Sequence, residues 1–116
     1  MNEIIGYHGT TIPNGEDIQK NGFHQGETVY FVLPDNRYIA VRHAMWKSER
    51  ANLPRGWAII HLSTLTAIPS PMDARYLTCT GYQVKIISID FSTSPEEYQQ
   101  KLSIFNSAKN LPNNYT

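Results

Sequence analysis

The chain has 116 residues, room for one compact domain, and its 41% hydrophobic and 17% charged content fits a folded segment rather than a disordered one. Ten basic residues balance ten acidic ones, which argues against a protein that grips nucleic acid by bulk charge. A single cysteine, Cys79, excludes an internal disulfide and a cysteine-rich zinc site and fits a reducing compartment.

The opening Met1-Asn2-Glu3-Ile4-Ile5 has neither a basic stretch nor a long apolar run. No signal peptide, membrane span or membrane partner is expected; the expected location is cytoplasmic, or a target cell reached without a cleaved signal. Ile4–Tyr7 reads as a first strand leading into His8-Gly9-Thr10. Thr11–Lys20 reads as a short helix capped by Asn14, with Glu16 and Asp17 in its first turn and Gly22 ending it. Thr28–Leu33 is β-branched and aromatic, hence a strand, closed by Pro34.

Asp35 to about Ala51 is the strongest internal helix. Asp35 is its expected cap, Tyr38, Val41 and Met45 share one face, and Ile39 and Trp46 widen that stripe. After the loop Asn52–Gly56, the apolar run Trp57–Leu62 predicts a strand buried on both faces. Ile68–Ala74 reads as a loop, Arg75–Cys79 as a short strand and Tyr82–Phe91 as a long one, whose alternation slips at Ile86-Ile87 as at a bulge. Ser94-Pro95-Glu96-Glu97 is a capping box that opens a last helix with Tyr98, Leu102 and Phe105 on one face. Residues 1–109 are expected to form one domain and 110–116 an irregular tail. The element order gives an α+β fold rather than a doubly wound sheet.

Three pieces carry candidate chemistry: Gly6-Tyr7-His8-Gly9-Thr10, Val29-Tyr30-Phe31 followed by a helix with Ala40 and Ala44, and Gly81-Tyr82-Gln83-Val84. Each alone has an ordinary explanation. A histidine at a strand end is commonly a capped surface group, Gly9 permits a turn, and one of two adjacent strand aromatics must face a core.

Taken in this order, the pieces resemble the ADP-ribosyltransferase superfamily, in the His-Tyr-Glu branch that includes poly-ADP-ribose polymerases, diphtheria-like toxins and small bacterial relatives. The resemblance covers residues 4 to 90, and the first half carries the more specific match. It implies an ADP-ribosyltransferase-like split, mixed/antiparallel β-sheet with flanking short helices and a C-terminal helix. It also implies NAD+ as co-substrate, no metal, and transfer of one ADP-ribose to a macromolecular acceptor, as in a bacterial or phage effector toxin. The neutral charge favours protein over nucleic acid as that acceptor. By the resemblance His8 would bond the 2′-hydroxyl of the nicotinamide ribose, Gly9 would hold the carboxamide, and Thr10 would lie near the ribose. Tyr30 would stack on the nicotinamide with Phe31 beside it, His43 would sit where relatives place a second ring, and Gln83 falls where the family carries its catalytic glutamate.

These residue types suit the reaction. Cleaving the ribose–nicotinamide bond builds an oxocarbenium-like sugar, so the site needs a flat aromatic slot, backbone groups for the amide and a polar grip on the ribose. Gln83 departs from the pattern, because an amide holds no negative charge and takes no proton. Asp73 is the nearest carboxylate to replace it, with loop capping as its ordinary role. The missing glutamate leaves a second function open, a weak or inactive NAD- or nucleotide-binding module or an inhibitor of a partner protein. A third is an RNA 2′-phosphotransferase, whose family shares the His-Gly-Thr start but needs an arginine-rich RNA site. Arg37, Arg42, Lys47 and Arg50 could favour the NAD pyrophosphate or an acidic target, with a solvated helix face the better reading for most of them; His24 and His61 lack metal spacing, and Cys79 reads as a buried structural thiol. Nothing in the sequence specifies an oligomeric state.

Overall fold

The computed structural model describes residues 2–54 and 56–92. The expected helix from Ser94 and the tail 110–116 lie outside the described residues. In chain order the elements are β1 (Ile4–Thr10), α1 (Ile12–Asn21), β2 (Thr28–Val32), a 3₁₀ turn (Pro34–Asn36), α2 (Arg37–Arg50) and β3 (Trp57–Thr64). Then follow the two-residue β4 (Ile68–Pro69), β5 (Tyr76–Thr80), a second 3₁₀ turn (Gly81–Gln83) and β6 (Lys85–Ser92). The strands form one six-stranded sheet in the order β4-β5-β2-β1-β3-β6.

The α+β class holds, and of the mixed and antiparallel sheets left open by the sequence the structure has the antiparallel one: every neighbouring pair among the described strands is antiparallel. The helical excursion α1 returns the chain beside β1 in the reverse direction, so it never makes the parallel crossover that a mixed sheet needs.

Alternation on the strands sends apolar side chains to two cores. Ile59 and Val32 join Ile39, Ala40, Ala44, Met45 and Trp57 under α2. Ile60 and Phe31, one residue away on the same strands, join Ile18 of α1 with Val29, Leu62 and Cys79. The apolar run of β3 is therefore buried on both faces, as expected, and its largest side chains each contribute about 1.5–3 kcal/mol on leaving water.

Local chemistry moves several boundaries. Thr11, not Asn14, caps α1: its hydroxyl accepts from the Asn14 backbone N–H at 3.2 Å. Pro13 sits in the first turn, which leaves Glu16 and Asp17 beyond it. Gly22 ends the helix at φ 75°, the left-handed region glycine enters freely. Pro34–Asn36 form a 3₁₀ turn, so Asp35 does not cap α2; Asn36 holds that position without a side-chain bond. Trp46 does not widen the buried stripe and is 49% exposed. β6 starts at Lys85 because Gly81–Gln83 turn. The bulge falls where the alternation slips: His61 pairs Ser88 and Leu62 pairs Ile86, leaving Ile87 as the extra residue.

Candidate functional site

β1 is bound unequally by its two neighbours. Against β3 it pairs continuously from Ile4↔Thr64 to Thr10↔Ala58, while against β2 it pairs at Tyr7↔Val32. At the next position an imidazole takes over from the ladder: His8 Nδ1 lies 2.7 Å from the Tyr30 backbone oxygen. A carbonyl can only accept, so Nδ1 carries the hydrogen, and a neutral ring then leaves Nε2 as an acceptor. Burial pushes the His8 pKa down to about 4, against the Tyr30 bond, which raises it, and with smaller lowering from Lys47 and His43, and the ring is neutral at pH 7. Phe23 meets it edge-on, centroid to centroid 5.3 Å.

This ring lies in the wall of a cavity of about 440 Å³. The sheet contributes His8, Gly9 and Tyr30, and α2 contributes His43 and Lys47, four residues apart on one helix face. The chain between β4 and β5 closes the third side with Ser70, Met72 and Asp73, and Tyr76 follows at the start of β5. Tyr30 is 46% exposed. Gly9 fixes the spacing: a Cβ there would strike the Ala40 carbonyl of α2, so the helix backbone rests directly on β1 and carries His43 over the cavity. Burial lowers the pKa of Lys47, which Glu27 partly offsets, and lowers that of His43.

A second cavity of about 290 Å³ shares the His43, Asp73 and Tyr76 walls and is completed by Ile39, Arg42, Trp46 and Arg75. Asp73 accepts from Arg75 three times, from the backbone N–H at 3.0 Å and from the guanidinium at 3.1 and 2.8 Å. Those bonds hold its carboxyl below the ordinary carboxylate range, so it is charged at neutral pH.

No family model matches this chain, and no curated protein or solved structure matches it.

Of the residues singled out in the sequence, the structure brings His8, Gly9, Tyr30 and His43 to one cavity and adds Asp73 to its wall, where that residue also caps its loop. Three others lie elsewhere. Thr10 is buried and accepts from the Asn14 amide at 2.6 Å. Phe31 is fully buried in the α1 core, because it alternates with Tyr30. Gln83 sits in the second 3₁₀ turn rather than on a strand: its Oε1 accepts from the Thr80 N–H at 2.9 Å and its Nε2 donates to Thr66 Oγ1 at 2.9 Å. It lines a third cavity, of about 320 Å³, among Thr28, Thr66, Thr78 and Thr80.

Ser70, Met72 and Tyr76 line this cavity without having been singled out in the sequence, and Lys47, expected mainly on a solvated face, lines it too. The expected solvated face of α2 is only partly solvated. Lys47 turns into the first cavity and Arg42 lines the second, Arg37 pairs with Asp90 at 3.1 Å, and Arg50 lies over the Trp46 ring. His61 stacks on Tyr7 at 4.8 Å, and burial pushes the Cys79 thiol up, away from reactivity. Among the described residues no group of three or more His, Cys, Asp or Glu side chains is placed to hold a metal, and no helix is long and apolar enough to cross a membrane.

Proposed function

We propose that the first cavity binds the nicotinamide half of NAD+ and that the protein is a mono-ADP-ribosyltransferase acting on a macromolecular acceptor, a protein in the first instance. The observation that carries this reading is the meeting of His8, Gly9 and Tyr30 in one cavity, with the imidazole held by the Tyr30 carbonyl. The half-exposed Tyr30 ring offers a stacking face for the pyridinium. His8 Nε2, an acceptor, suits a ribose hydroxyl, and the Gly9 backbone lies where a carboxamide can reach it.

In the reaction the bond between ribose C1′ and the nicotinamide nitrogen breaks, and its electron pair leaves with neutral nicotinamide. An acceptor heteroatom forms the new bond to C1′ and gives up its proton. The positive sugar needs a nearby negative charge. Asp73 supplies one in place of the family's glutamate, and Arg75 keeps it ionised. Its depressed pKa suits electrostatic stabilisation better than proton uptake, so the acceptor proton goes to water.

Incubation with NAD+ labelled in the adenylate half tests this. Wild type is expected to release nicotinamide and to label a macromolecule in a cell lysate; His8→Ala and Tyr30→Ala are expected to lose both. Asp73→Asn is expected to bind NAD+ while losing turnover by about two orders of magnitude, the size of effect typical of removing one stabilising group. A second reading, a binding module without turnover, is favoured by the Arg75 clamp on Asp73 and the distant Gln83. Calorimetric binding of NAD+ with no nicotinamide released would select it. No binding at all defeats both.

A further inference from the structure

The proposed transfer reaction leaves the Lys47 amine without a role. Lys47 lines the His8 cavity from α2 and is half-buried there, while Tyr30, Met72 and Tyr76 give much of the remaining wall an apolar character. A lysine so placed ordinarily pairs with a carboxylate. Asp73, the carboxylate on the cavity wall, is held by Arg75 at 2.8 Å. Glu27 attracts Lys47, but its Oε1 accepts from the His24 N–H at 2.7 Å. Among the described residues Lys47 makes no ion pair. The two imidazoles that share the cavity, His8 on β1 and His43 one helical turn back on α2, are neutral at pH 7 and offer the ammonium no opposite charge. Burial therefore lowers the Lys47 pKa and raises the share of free amine, whose lone pair is a nucleophile toward carbonyl carbon.

We infer that Lys47 is a covalent capture site for small aromatic aldehydes, forming an imine between its Nζ and the carbonyl carbon inside the His8 cavity. The amine nitrogen adds to the carbonyl carbon, and one of its protons passes to the carbonyl oxygen to give a carbinolamine. The nitrogen lone pair then expels that oxygen, which leaves as water with the second amine proton. A C=N bond replaces a C=O bond, and nothing is oxidised or reduced. His43, four residues before Lys47 and on the same cavity wall, is placed to carry those protons from nitrogen to oxygen. The walls set the class of ligand: Tyr30 and Tyr76 offer aromatic surface, and about 440 Å³ accommodates a single-ring molecule. This activity is separate from ADP-ribose transfer and needs no NAD+.

Reductive trapping tests it. Pyridine-3-carbaldehyde is the probe, cyanoborohydride reduces an imine to a stable secondary amine, and peptide mass mapping locates the adduct. Lys20 and Lys85 are exposed and serve as internal references. In folded wild type at pH 7, Lys47 is expected to be alkylated about tenfold faster than either, the factor that each unit of lowered pKa gives to the free-amine fraction. In urea that unfolds the chain, the three lysines are expected to react alike. Lys47→Arg keeps the charge and removes the nucleophile; it is expected to lose the fast adduct while Lys20 and Lys85 react as before. Lys47 reacting no faster than Lys20 and Lys85 in the folded wild type overturns the inference, a result that depends on no variant folding. A preference for Lys47 that persists in urea also overturns it, because the cause would then be local sequence and not the cavity. Either failure leaves the nicotinamide reading standing, since Lys47 has no part in that reaction.

Discussion

The His8 cavity and the Gln83 cavity are of comparable size, about 440 and 320 Å³, and differ in what their polar groups have left to give. Around Gln83 the amide and the Thr66 and Thr78 hydroxyls bond to one another or to the local backbone: Gln83 to Thr66, Thr80 N–H to Gln83, and Thr78 to the Ile68 carbonyl at 3.3 Å. Around His8 the groups are titratable, and burial drives His8, His43 and Lys47 toward their neutral forms. His8 spends one nitrogen on Tyr30 and keeps the other. A depression whose polar groups already bond to one another is part of the scaffold. One that holds desolvated groups with capacity in reserve suits a ligand, which is the reading proposed for the His8 cavity.

The seating of α2 on β1 creates that difference, so removing it has the largest expected effect. Gly9→Ala drives a methyl into the Ala40 carbonyl, a backbone atom that moves only with its helix. The expected destabilisation is about 3 kcal/mol, at the upper end for overpacking, read as a drop in the urea midpoint at unchanged slope. A variant as stable as wild type would show that α2 slides without penalty and that the spacing over the cavity is not fixed.

The ionisation of His8 gives the next test. Its folded pKa of about 4 lies below the ordinary 6.5, so the unfolded chain takes up the proton first as pH falls. The neutral ring's stabilisation is complete above pH 6.5 and is lost progressively as pH falls from 6.5 through 4, about 3 kcal/mol in all. Urea unfolding at pH 7, 6, 5 and 4 is expected to show this extra acid sensitivity in wild type and not in His8→Gln. The His8-dependent part of NAD+ binding, wild type against His8→Gln, is expected to stay flat from pH 8 to 5. Equal acid sensitivity of wild type and His8→Gln in urea unfolding would mean that the ring titrates as it does in water and is not enclosed.

What the sequence disclosed follows from how local each signal is. The bulge was readable because Ile86-Ile87 breaks a period of two, and β3 because an unbroken apolar run has no polar face to show. The order of the His8 and Tyr30 motifs marked two residues 22 positions apart that the fold joins. The cap of α1 was misplaced although its signal was present: proline belongs to the first turn, which puts the cap at Thr11. Lys47 had no such signal. Whether a lysine on α2 faces water or a cavity depends on the chain from Ser70 to Asp73 folding across it, a contact set by tertiary structure alone.

Gln83 is the sharpest case, and it carries the smallest expected effect. Thr80-Gly81-Tyr82-Gln83 has the spacing of a capping box, in which a hydroxyl and an amide exchange bonds with the backbone three residues apart, and that pattern specifies a turn before it specifies a catalyst. Gln83→Ala removes the bonds to Thr80 and Thr66 from a half-buried site, for an expected destabilisation of about 1 kcal/mol in chemical denaturation. NAD+ affinity and nicotinamide release should both match wild type, because no described contact links this amide to the His8 cavity. A fall in nicotinamide release at unchanged stability would reverse that assignment: the turn would have to open and swing the amide toward the ribose, and the contrast between the two cavities would hold only for the resting protein.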